Sequence, residues 1–146
     1  MNKPIVARIV EYSFMTLATA IMGFIVFWYA FPINPVTFHS DQLVIETPQV
    51  RPGGELQYSL PVEKFGIYPS TISGTLVSEN GQTAYALRPE SGALPPGNYK
   101  SLHQEVLIPK KVNPQKYFYS RIYVYHVNPG QDVVRYYRTP LFEVIP

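Results

Sequence analysis

The chain has 146 residues, with 12 Lys or Arg against 10 Asp or Glu for a formal net charge of +2. That is room for one ordinary domain plus an appendage, and it lacks the concentrated basic footprint of a nucleic-acid binder. There is no cysteine, which excludes disulfides, thiolate metal sites and cysteine nucleophiles. The 15 prolines argue against helix over most of the length, while 12 tyrosines and eight phenylalanines suit strands.

In chain order, residues 1–11 form a short N-terminal segment carrying Lys3 and Arg8. Residues 12–31, Tyr12 to Phe31, hold no charge and few polar side chains. Twenty residues of helix span about 30 Å, the thickness of a bilayer's hydrocarbon layer. Tyr12 at one end and Trp28 with Tyr29 at the other are the rings that favour a membrane interface. Pro32 and Pro35 stop the helix, since proline lacks the amide hydrogen that a continuing helix needs. A buried core helix is the first alternative, but the apolar residues go all round and leave no polar face. A cleaved signal peptide is the second, but Trp28-Tyr29-Ala30 puts a tryptophan where a cleavage site wants a small residue. The reading is an uncleaved signal-anchor.

After Arg8 no Lys or Arg follows until Arg51. Basic residues stay on the cytoplasmic side, so the expected topology is a single pass through the cytoplasmic (inner) membrane. The N-terminus is then inside and the C-terminal domain outside, in the periplasm of a Gram-negative host. Thr16, Thr19, Ala20 and Gly23 include small residues four apart, a spacing that would let two copies pack as a homo-oligomer.

Residues 32–41 are expected as a stalk and 42–146 as the outer domain. Short segments of alternating polarity recur there at about ten-residue intervals between turn signals. Gln42–Glu46, Glu55–Leu60, Thr71–Val77, Thr83–Leu87, Leu102–Ile108, Tyr117–Val127, and Val133–Arg138 continuing to Leu141–Val144 read as strands. Asn80-Gly81 and Asn128-Pro129-Gly130 read as hairpin turns, the second of type II. About seven strands in roughly 105 residues predict an immunoglobulin-like antiparallel β-sandwich, with a small barrel as the competing architecture.

The layout resembles small, uncharacterised single-pass membrane proteins of tailed bacteriophages and prophages. The matching stretches are Pro52-Gly-Gly-Glu-Leu-Gln-Tyr58, Val106-Leu-Ile-Pro109, Tyr125-His-Val-Asn-Pro129 and Phe142-Glu-Val144. They are strand-and-turn punctuation; the resemblance implies a phage or prophage origin and no known activity, and carries over no functional residues.

Chemistry is sparse. His39, His103 and His126 lack ligand partners at helical or strand spacing, no serine lies in a G-x-S-x-G elbow, and no phosphate or dinucleotide fingerprint occurs. Neither catalysis nor a cofactor or metal is expected. On the longest strand, Tyr117, Tyr119, Arg121, Tyr123 and Tyr125 share one parity and Phe118, Ser120, Ile122, Val124 and His126 the other. Because arginine is rarely buried unpaired, the tyrosine set is expected to face solvent as a protein-binding surface, Tyr and Arg being residues that interfaces favour. The opposite parity, with the tyrosines in the core, stays open. The functional expectation is a membrane-anchored, non-catalytic protein-binding module whose partner is a membrane-proximal envelope or phage protein. The alternative is a structural subunit of a membrane or virion assembly.

Overall fold

The computed structural model describes residues 4–30, 34–128 and 130–146. It divides between residues 33 and 34 into a helical unit and a β unit.

Helix α1 (Ile5–Ala30) starts on Pro4, whose carbonyl accepts the amides of Ala7 and Arg8. Proline suits this position because its missing amide would have no partner there anyway. The helix therefore begins seven residues before Tyr12 and takes in Arg8 and Glu11. Ile5–Trp28 is long and apolar enough to cross a membrane, and none of that span is buried against protein. The buried-core alternative falls with that observation. Tyr12 is exposed, and Trp28 packs its ring 5.7 Å from that of Phe24. The side chain of Tyr29, and residues 31–33, lie outside the described residues.

The remainder is mainly β, a two-sheet sandwich. Its strands are β1 (Val36–Phe38), β2 (Val44–Ile45), β3 (Gln49–Val50), β4 (Glu55–Lys64), β5 (Ser70–Ser78), β6 (Ala84–Ala86), β7 (Glu90–Gly92), β8 (Gly97–Leu107), β9 (Gln115–Asn128), β10 (Gln131–Arg138) and β11 (Phe142–Val144). In the first sheet β4 is central, with β8 on one side and β1 and β2 sharing the other. In the second, β9 is central. It pairs with β5 on one side, which carries β6 and β7, and with β10 and β11 on the other. Pairing is antiparallel throughout except for β11 against β3.

The outer domain thus begins earlier than residue 42. Prolines make residues 32–41 read as a stalk, yet Pro35 and Val36 are almost wholly buried and Val36–Phe38 lies antiparallel to Val62–Lys64. Asn34 is clamped as well: its Oδ1 accepts from Nε and Nη2 of Arg135 at 3.2 and 3.1 Å. The strand read as Glu55–Leu60 runs on through Pro61 to Lys64, and its register against β8 shifts between Leu60 and Val62. A bulge at that point accommodates the missing amide. The first predicted hairpin closes through a four-residue loop between Ser78 and Thr83, with Gly81 at φ +71°. The second has Gly130 at φ +79°, the value a type II turn requires, while Pro129 lies outside the described residues.

Parity on β9 is the opposite of that expected. Tyr117, Tyr119, Arg121, Tyr123 and Tyr125 are all buried, none more than 8% exposed, whereas Ile122 and His126 face out. The tyrosines are core residues and not a solvent-facing binding patch. The premise that arginine stays outside fails because the interior supplies Arg121 with oxygens.

Candidate binding cleft around Arg121

Alternation on β4 turns Leu56, Tyr58 and Leu60 inward, and alternation on β9 and β10 turns Tyr119, Arg121, Tyr123 and Tyr137 towards them. The hydroxyls of Tyr58 and Tyr137 meet at 2.8 Å across the sheets. Phe38 of β1 places its ring 4.9 Å from Tyr123 and 5.0 Å from Tyr137. A buried tyrosine contributes large apolar area but must find a partner for its hydroxyl. Here the tyrosines supply one another.

Arg121 lies at the edge of this aromatic layer. Its Nη1 donates to Gln104 Oε1 at 2.6 Å and to the Tyr58 hydroxyl at 3.4 Å. Its Nη2 donates to Glu90 Oε2 at 3.2 Å. The guanidinium also stands 5.4 Å from the Tyr123 ring centre, within cation–π range. The Nε atom is buried with no hydrogen-bond partner. Burial raises the pKa of Tyr58 and Tyr123, with the Arg121 charge pulling the other way. Burial likewise pushes Tyr137 well above its ordinary value.

The bridge Glu90–Arg121–Gln104 spans the side of the sandwich where β8 faces β5 and β7, and that side is open. Arg121 lines a cavity on each flank. One, of about 270 Å³, is walled by Phe38, Ile72, Leu94, Leu102, Tyr123 and Tyr125. The other, of about 490 Å³, is walled by Ile72, Leu87, Glu105, Val106, Leu107 and Tyr119. The Glu90 carboxylate is 67% exposed while the Arg121 side chain is 8% exposed, so the acid closes the bridge from the solvent side. A carboxylate or carbonyl oxygen arriving from outside would meet the guanidinium by displacing Glu90.

Strand β8 borders this cleft. Its other edge pairs with no strand among the described residues, and Ser101, His103 and Glu105 on it are exposed. Each histidine sits beside one acid, His39 by Glu63, His103 by Glu46 and His126 by Asp132. No group of three or more His, Asp or Glu able to hold a metal ion exists among the described residues. Of the predicted site residues, the structure brings Arg121, Tyr119, Tyr123 and Tyr125 together at the cleft, from the inside, and leaves Tyr117 apart near Gln115 and Tyr85. Glu90, Gln104 and Tyr58 were not singled out by the sequence. The legible signal was Tyr58 sharing a face with Leu56 and Leu60, which marks it as a core tyrosine.

No protein family matches the sequence, and no curated protein matches it. Among solved structures, the chain is similar to a family 123 glycoside hydrolase from Clostridium perfringens, with 13% identity over 77% of this chain and 27% of that one, TM-score 0.44. It is similar also to the alkylpurine DNA glycosylase AlkC of Pseudomonas fluorescens, with 15% identity over 72% of this chain and 30% of that one, TM-score 0.40. A third is the sporulation control protein Spo0M of Bacillus subtilis, with 15% identity over 73% of this chain and 49% of that one, TM-score 0.39. The chain spans less than half the length of each, and likenesses of this size carry nothing about activity or partner.

Proposed function

We propose that the protein is a membrane-anchored, non-catalytic binding module that receives an extended segment of a partner protein along β8. The observation that carries this is the conjunction of an 11-residue strand whose edge is unpaired among the described residues and an open cleft beneath it. Strand addition draws affinity from main-chain hydrogen bonds and specificity from pockets that take alternate side chains, and the two cavities flanking Arg121 are spaced along such a strand. An acidic side chain of the partner would take the place of Glu90. Helix α1 supports the anchoring, and the Lys3 and Arg8 flank supports a domain on the periplasmic or exterior face. The partner is then a membrane-proximal envelope protein or, following the sequence resemblance, a phage protein.

One observation favours the second reading, a structural subunit. The outer face of the second sheet exposes Ile122, Val134 and Tyr136, the last at 74%, an apolar patch that packing against another copy or subunit would cover. A photo-crosslinking residue at His103 or at Tyr136, in the full-length protein in its native membrane, separates the two. Adducts confined to His103 support strand addition, adducts confined to Tyr136 support the structural subunit, and none at either position removes both surfaces. Native mass after detergent extraction adds that a stoichiometric complex belongs to a subunit, and a monomer to a transient binder.

A further inference from the structure

We infer that the β4–β5 loop, Phe65 to Pro69, is a second lipid contact, seated in the headgroup region of the same bilayer that α1 enters; this rests on the membrane-anchored reading above. The loop is built to hold apolar side chains outward. Phe65 is 52% and Ile67 77% exposed. Between them Gly66 adopts φ +128°, and a Cβ there would come within 2.7 Å of the Tyr68 ring. Without that Cβ, Tyr68 folds back over the loop and lies 5.2 Å from the buried Nζ of Lys64, which also faces the Tyr125 ring at 4.6 Å. The large polar-tipped ring is tucked in, and the two hydrocarbon side chains are left out.

The loop's place in the chain's path keeps a lipid surface within reach. The Phe65 amide donates to the Pro35 carbonyl at 3.0 Å, so the loop lies beside the point where the chain enters the β domain. Four residue steps separate Ala30, the last residue of α1, from Asn34, and they reach at most about 14 Å. Asn34 cannot swing free, being held by Arg135. Headgroups extend roughly 5–7 Å beyond the hydrocarbon on each side, within that reach.

The surroundings suit lipid. No charged residue occurs from Phe65 to Ser78 or from Ser91 to Tyr99. The second stretch begins β8 at Gly97, opposite Lys64, at this same end. The adjoining Lys64 is buried, its Nζ turned to the Tyr68 and Tyr125 rings, and nearby Glu63 with His39 and Asp132 with His126 are paired among themselves. Exposed phenylalanine and isoleucine in a loop without charge would be a liability in water and favour burial at the acyl boundary.

The absence of cysteine allows a clean test. Single nitroxide labels at Leu17→Cys, Ile67→Cys and Leu107→Cys are compared in full-length protein reconstituted into phosphatidylcholine–phosphatidylglycerol vesicles, reading collision with oxygen against collision with a water-soluble nickel chelate. Leu107 is exposed like Ile67 but pairs with Glu55 at the far end of β4, roughly 30 Å away. The expected result is an oxygen-to-nickel ratio at Ile67 several-fold above that at Leu107 and approaching that at Leu17. A lipid-like ratio at Leu17 with Ile67 equal to Leu107 overturns the loop contact and leaves the anchor standing. A water-like ratio at Leu17 overturns both. Lipid-like ratios at Ile67 and Leu107 alike overturn the loop's distinct role.

Discussion

Tyr58 and Tyr137 join the two sheets through a 2.8 Å contact between their hydroxyls, in a layer where Leu56, Leu60 and Tyr119 are each at most 3% exposed. Either hydroxyl can donate, and Arg121 gives Tyr58 a further partner. Removing one member therefore has unequal effects. Tyr137→Phe leaves Tyr58 still held by Arg121 and should lower stability by about 1 kcal/mol. Tyr58→Phe strips a partner from both Tyr137 and Arg121 and should lower it by roughly twice as much. Thermal unfolding followed by near-ultraviolet circular dichroism ranks the pair, and equal losses would contradict the asymmetry.

Arg121 illustrates how a buried charge depends on its partners. Glu90→Gln should cost only about 1 kcal/mol, because the carboxylate is largely in solvent. Arg121→Ala opens a hole and leaves Gln104 unpaired, with an expected loss of about 3 kcal/mol. Arg121→Met fills the volume without a charge to desolvate and should be nearly neutral. Denaturant midpoints of the three variants give the order directly.

Gly74 lies under Tyr119. A Cβ built there falls 2.7 Å from a ring carbon, so Gly74→Ala should destabilise by about 1–3 kcal/mol through overpacking. Because the clash involves the ring as well as the hydroxyl, Tyr119→Phe should not rescue Gly74→Ala, whereas Tyr119→Leu should do so in part. A double-mutant cycle measures that coupling.

Alkaline pH should unfold the β domain cooperatively. Burial raises the pKa of Tyr58, Tyr119, Tyr123, Tyr125 and Tyr137 above 10 in the folded chain. Each therefore contributes stability that is intact below pH 10. Above it the unfolded chain gains by ionising and the folded chain does not, so that contribution falls as pH climbs towards the folded-state values. The slope is up to about 1.4 kcal/mol per pH unit per tyrosine. The share of tyrosinate absorbance that belongs to these five should rise together with loss of strand signal; ionisation of all 12 tyrosines at ordinary tyrosine pH with the fold intact would refute it.

Lys64 works in the other sense. Its Nζ is buried without a hydrogen-bond partner, and burial lowers its pKa. Its contribution is present at pH above its ordinary value and diminishes as pH falls through the lowered one, where burial opposes the charge and only the Tyr68 and Tyr125 rings face it. Lys64→Met should raise the melting temperature by several degrees, equivalent to about 1 kcal/mol.

The elements that sequence revealed are those whose local signals agree with their tertiary setting. β5, β9 and β10 alternate cleanly between turn residues, and α1 is apolar on every side. The misses share a cause. β1, β3 and β7 are two or three residues long and exist only because a neighbouring strand holds them, so no local pattern marks them. Proline misled at Pro35, and at Pro61 it does not halt β4, because an edge or bulge position needs no amide. Parity on β9 misled because Arg121 has partners on β4, β7 and β8, residues 63, 31 and 17 positions away respectively. Composition alone could not bring them together, and the cleft they form was correspondingly invisible.

Strand β11 carries a consequence for assembly of the fold. It lies between β3 and β9, and Gln49 reaches Glu143 across 94 positions of chain. Everything from the third strand onward must be synthesised before that gap can be filled, so the second sheet closes last and slowly, by a contact of high sequence separation. A variant lacking β11 would keep the Tyr117 ring unsheltered by Phe142 and be open to proteolysis. Insertion of β11 between β3 and β9 is itself the step that seals the second sheet.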